Sequence, residues 1–242
     1  MNEQQLSLSQ PGNGTVDSEW RRGMKASVPV LLGFVPFGLV LGAQASQKQL
    51  NAMEVALMTG LNFGGGSEFA AIELWTSPPH LLVIAAMTLL VNSRHLLMGA
   101  TLAPHLRHLP LKKALPALFF MCDEAWAMGL EDARRDPRKP ALSLAYYMGL
   151  SLCLWLTWIV CTALGALIGP ALGDLRSYGF DMAFAAVFLV LLRGMWRGVH
   201  AALPWLFSLV TAAAFYLLIP GGWYVLAGTV AGLVAAYLWA KA

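Results

Sequence analysis

No aspartate, glutamate, lysine or arginine occurs between Ala26 and Gln47, between Ala141 and Gly173, or between Gly198 and Ala240. A helix needs about 20 apolar residues to span the hydrocarbon core of a bilayer. Inside lipid every backbone N–H and C=O must find its partner within the segment. Runs of this length therefore commit the chain to transmembrane helices. Composition agrees: 12% of residues are charged and the mean hydropathy is +0.62, whereas a soluble domain carries about 25% charged residues. The expected fold is an all-α polytopic membrane protein of about seven to eight apolar segments, with broken or re-entrant helices among them.

Charge cuts three of the segments short. The second is uncharged only from Val55 to Ser67, between Glu54 and Glu68. The fourth, Ala114 to about Gly129, is interrupted by Asp123 and Glu124, and the sixth, Met182 to Leu192, is entered by Asp181. Residues 1–19 read as a flexible, cytoplasmic polar tail, and residues 20–242 as one transmembrane domain. The net charge of +3 comes from basic residues in loops, which report orientation rather than nucleic-acid binding. Cys122, Cys153 and Cys161 lie in apolar sequence without CxxC spacing and read as reduced packing residues. No cofactor and no metal is assigned.

A shift of 127 positions aligns Gly38 with Gly165, Gly42 with Gly169 and Glu54 with Asp181. It suggests repeat halves at about 26–110 and 141–220. An inverted relation between them requires segments two and six to re-enter without crossing. The positive-inside rule does not choose, because crossing and re-entrant schemes give the same inside-to-outside split of loop Lys and Arg.

The second segment is the expected site. Gly64, Gly65 and Gly66 weaken a helix at membrane depth, each by about 1 kcal/mol relative to alanine. Ser67 and Glu68 then add a hydroxyl and a carboxyl. Secondary transporters build substrate sites in this way, from broken helices, freed backbone groups and a few polar side chains. Close helix packing alone would explain the glycines but not Glu68. Phe63 and Phe69 flank the break as an apolar lining.

Ionisable groups at this depth cost about 2.5–3.5 kcal/mol each on insertion scales and mark function. Arg94 is the most isolated. It suits a structural ion pair with Glu68 or Asp123, or a substrate carboxylate matched to its guanidinium fork. Asn92 offers an amide to substrate or to a neighbouring helix, and His95 a proton relay or an ordinary structural ring. Asp123 and Glu124 point about 100° apart on a helix, so one of them faces a cavity. Trp126 is a lid or a core aromatic. Glu54 and Asp181 sit near segment starts, where helix capping is the plain role. Carboxyls in transporter spans carry protons, which makes Glu68, Asp123 and Asp181 the coupling candidates. Enzyme signatures such as HExxH, GxSxG or a Walker lysine are absent. An intramembrane enzyme would have to rest on His95 with Asp123.

Five stretches taken together resemble the AzlC family (YgaZ-like large subunits of bacterial branched-chain amino-acid exporters). They are Gly33 to Gly38, Gly66 to Ala71, Asn92 to Ala100, Asp123 to Trp126 and Gly179 to Phe184. The resemblance runs from about Arg22 to Trp239 and departs at Gly65 and Glu68, where alanine and glutamine are common in the family. An acid in place of the amide bears on coupling and substrate polarity. The resemblance implies efflux of valine-like amino acids across the bacterial inner membrane and a small hydrophobic AzlD-like partner subunit; an exporter of another small amphiphile is the alternative. With the residue reading it gives Gly64, Gly65, Gly66, Ser67, Phe69, Asn92, Arg94 and Trp126 as substrate contacts.

Overall fold

The computed structural model describes residues 16–135, 142–172, 189, 193, 198–219 and 223–239. They are helical throughout apart from turns and connections. Asp181 and nearly all of the sixth segment lie outside them, as do part of the proposed second repeat half and most of the N-terminal tail. The chain divides into two compact units, Met1–Asp181 and Met182–Ala242.

In the first unit, α1 (Val16–Gln47) and α8 (Leu144–Ile168) form the central pair. Gly23 lies against Tyr146, Gly38 against Cys161 and Gly42 against Thr162, so the two helices run in the same direction. A Cβ at Gly42 would collide with the Thr162 carbonyl, and one at Gly165 with the Leu39 carbonyl. Glycine is needed there for backbone-to-backbone approach, as small residues allow in membranes. Leu41, Leu150 and Leu154 are fully buried around this seam.

Between α1 and α8 the chain builds one crossing and two hairpins. A capping box starts α2 (Ala52–Asn62): the Asn51 side chain accepts from the Met53 and Glu54 N–H groups, and Glu54 accepts from the Asn51 N–H. Helix α2 has 11 residues and α3 (Gly66–Glu73) has 8. At 1.5 Å per residue neither approaches the ~30 Å of a span. They form a re-entrant pair. Helix α2 leaves from the C-terminal end of α1, and its tip reaches Trp155 and Trp158, half-way along α8. Helix α3 returns to that same end of α1, where Lys48 Nζ donates to the Glu73 and Trp75 carbonyls at 3.3 and 3.4 Å.

Helices α4 (Leu81–Asn92) and α5 (Arg94–Leu106) together make the return crossing. The hairpin of α6 (Leu111–Phe119) and α7 (Asp123–Arg135) then enters from the opposite end. Phe120 at its tip meets Trp155, with ring centroids 5.2 Å apart. Asp132 near its base binds Arg22 at the N-terminal end of α1.

Two span-plus-hairpin modules thus follow one another with opposite direction. Their offset is 59 residues, from Gln47 to Leu106 at the span ends and from Ala52 to Leu111 at the hairpin starts. An inverted relation holds between 16–73 and 81–135. The first helices of the halves suggested by the 127-residue shift, α1 and α8, are parallel. The second and fourth apolar segments are the ones that re-enter among the described residues.

In the second unit, α9 (Val199–Leu218) and α10 (Trp223–Trp239) pack antiparallel, Gly228 against Ala212 and Gly232 against Ser208.

Candidate functional site

The first helix break is narrower than three glycines. Helix α2 ends on Phe63 in the left-handed region (φ 45°), whose N–H still reaches the Thr59 carbonyl. Gly65 follows with φ 52°, a conformation open to glycine at no steric cost. Gly66 already belongs to α3. Phe63 pays for its left-handed backbone, on the order of 1–3 kcal/mol, and its ring is buried. At Gly64 there is no room for a side chain: a Cβ would lie 2.7 Å from Asn92 Oδ1 and 2.9 Å from Asn62 Nδ2.

Glu68 is 1% exposed. Its Oε1 accepts from the Gly64 N–H at 3.0 Å and from Asn62 Nδ2 at 3.3 Å, and its Oε2 accepts from Trp158 Nε1 at 2.7 Å. The carboxyl therefore closes its own loop and ties the tip to α8. Ser67 is fully buried and accepts from Asn62 Nδ2 at 2.8 Å. Asn92 Nδ2 donates to Asn62 Oδ1 at 2.9 Å, linking the tip to α4. Thr59 and Thr162 hydroxyls pair at 3.0 Å, and Trp155 donates to the Gly60 carbonyl at 2.9 Å. Phe69 stacks on Phe37, with centroids 4.5 Å apart.

Arg94 joins the two tips. Its Nη2 donates to the Gly64 carbonyl at 3.0 Å, and its Nη1 pairs with Asp123 Oδ2 at 2.8 Å. Both side chains of that ion pair are about one-third exposed, 34% for Arg94 and 33% for Asp123. Arg94 Nε, Asp123 Oδ1 and Asn92 Oδ1 are buried atoms without a hydrogen-bond partner among the described residues. The N-termini of α3 and α7, the positive ends of their dipoles, both lie at this junction. His95 Nδ1 donates to the Asn92 carbonyl at 3.2 Å, and Trp126 Nε1 donates to Thr101 Oγ1 at 2.8 Å.

The structure thus gathers Gly64, Ser67, Glu68, Asn92, Arg94 and Asp123 at one place, with Phe69 stacked on Phe37 and Trp126 hydrogen-bonded to Thr101. Arg94 pairs with Asp123 rather than Glu68. Residue-type reasoning missed Asn62, Trp155 and Trp158. Asn62 had a signal, an amide inside an apolar run. The two indoles had none, since a tryptophan in a span is ordinarily lipid-facing or core.

The family model described as AzlC protein matches residues 29–172. An uncharacterized membrane protein of Archaeoglobus fulgidus is 28% identical over 183 residues, covering 75% of this chain and 78% of that one. The branched-chain amino acid transport protein AzlC of Bacillus subtilis is 24% identical over 234 residues, covering 93% and 89%. The inner membrane protein YgaZ of Escherichia coli is 24% identical over 164 residues, covering 67% and 64%. No solved structure matches the chain.

Proposed function

The chain belongs to the AzlC family, a family of membrane transport proteins rather than enzymes, and from that premise we propose that it exports branched-chain amino acids of the valine type from the bacterial cytoplasm. The observation that carries this reading is Arg94: a guanidinium at mid-membrane, partly open, bridging the tips of two half-helix hairpins that enter from opposite sides. A planar fork suits a carboxylate, and alternating access needs one site reachable from each face in turn. The substrate's carboxylate meets Arg94 with the Gly64–Gly66 backbone. Its ammonium meets the Asn92 amide oxygen. Phe69 and Trp126 bound the apolar end, and Ser67 shapes the tip. Asp123 is the partly exposed carboxyl and the first coupling candidate for a proton or other ion. Glu68, fully engaged by protein donors, holds the site in shape. Asp181 keeps its coupling role as a proposal from sequence.

The hairpins support one orientation. With segments two and four re-entrant, Arg21, Arg22, Lys25, Arg107, Lys112, Lys113 and Arg134 gather at the end of the first unit where α1 begins, and Lys48 lies at the other. The positive-inside rule then puts the N-terminus in the cytoplasm of a cell whose inner membrane holds the protein. The relative from Bacillus subtilis supports the substrate class by its name. A small AzlD-like subunit completes the exporter, which makes this chain the large subunit.

The test is loss of preloaded isotope-labelled valine from cells carrying this chain, alone and with the small subunit. Faster loss that disappears in Arg94→Ala at equal membrane abundance is the expected result. Unchanged loss with both subunits correctly inserted would overturn the substrate assignment.

A further inference from the structure

The two hairpins are fastened differently, and the difference identifies which one moves. Six of the eight residues of α3 are buried, including Ser67, Glu68 and Phe69. Its tip is joined to α8 through Trp158, to α4 through Asn92 and to α1 through the Phe37 stack, while Thr59 and Trp155 hold α2 to α8. In α6 only Ala117 is buried. Helix α7 buries Ala125, Gly129, Leu130 and Ala133, three of them small and spaced by four, so the face it lays on its neighbours is smooth. The polar ties of α7 include Asp123 to Arg94 at the tip, Trp126 to Thr101, and Asp132 to Arg22 at the base. The tip pair is a carboxylate on a guanidinium, the same chemistry that a carboxylate substrate would supply.

We infer that a substrate carboxylate takes the place of Asp123 on Arg94 and thereby releases the α6–α7 hairpin, which is the moving gate, while α2–α3 stays fixed against α8. This rests on the transporter reading above and adds its trigger. A ligand shifts a conformational equilibrium only through contacts that differ between the two states. Exchange at Arg94 provides such a difference, because Arg94 keeps its bond to the Gly64 carbonyl while its other face changes partner. Asp132 and Arg22, at the surface end of the same hairpin, form its hinge-side tie.

Cys122 is a built-in reporter, buried beside Asp123 at the moving tip. In a Cys153→Ser, Cys161→Ala background in proteoliposomes, its alkylation by N-ethylmaleimide should quicken at least about fivefold with saturating L-valine, the low end of ordinary site-to-site coupling. Asp123→Asn should give the fast rate without valine, and valine should add nothing. A second reporter, Thr59→Cys with Cys122→Ala, sits fully buried in the other hairpin and should stay slow throughout. Slow Cys122 alkylation in Asp123→Asn overturns the proposal. So does equal quickening of both reporters, which is general loosening. Fast alkylation in Asp123→Asn with no valine response in the parent upholds the latch and removes valine from the functional reading, so the two failures are separable.

Discussion

At the tip of α2–α3 a carboxyl that is 1% exposed accepts three hydrogen bonds from neutral N–H groups; at the tip of α6–α7 a carboxyl that is one-third exposed meets a single guanidinium. Both hairpins break a helix at membrane depth and both stop half-way along α8. The first uses its acid as a fixing bolt inside protein. The second leaves its acid where a ligand can compete for the same partner. Acids half-way along the same helix thus sit in opposite settings, and what separates them is the identity and exposure of the partner.

Four substitutions break or sharpen that contrast. Glu68→Ala leaves the Gly64 N–H and Trp158 Nε1 buried without acceptors, at about 1–3 kcal/mol each. It should cause the largest drop in thermal stability of the detergent-purified protein, with transport lost as a consequence. Gly64→Ala forces a Cβ against Asn92 and Asn62, an overpacking cost of about 1–3 kcal/mol that the same melting curve reads. Trp158→Phe removes one donor to Glu68 while keeping the aromatic contact with Phe37. About 1 kcal/mol is expected, with partial transport. Asp132→Asn cuts a tie at the hairpin base that is open to solvent on the Arg22 side. Its cost should stay within about 1 kcal/mol while the alkylation rate of Cys122 rises. If Asp132→Asn lowers the melting temperature as far as Glu68→Ala does, the two hairpins are not differently fastened.

Much of this was legible in the chain. The charge-free runs fixed the membrane class, and Glu68 marked one segment that re-enters; the fourth, with Asp123, was expected to cross and re-enters instead, while the sixth lies outside the described residues. Arg94 was recognisable as a cation inside an apolar segment with a carboxyl partner, although two acids competed for it on paper. Geometry decided between them: Asn62, Gly64 and Trp158 saturate Glu68, so Asp123 is the acid left to pair. Trp158 was not legible, because an indole inside a long apolar run carries no sign that its one N–H is spent on an acid. The inverted modules were hidden for a related reason. What repeats at an offset of 59 is the order span, half-helix, break, half-helix, and not the side chains.

The bond from Trp158 to Glu68 joins residues 90 positions apart in the chain, and this has a consequence for how the protein is made. At a synthesis rate of about 5–20 residues per second, the first hairpin is complete roughly 5–20 seconds before α8 emerges. Throughout that interval a half-span with an acid at its tip has no indole to receive it. The nascent hairpin must therefore wait at the insertion site or the lipid interface, and it can take its final depth only when α8 arrives beside α1.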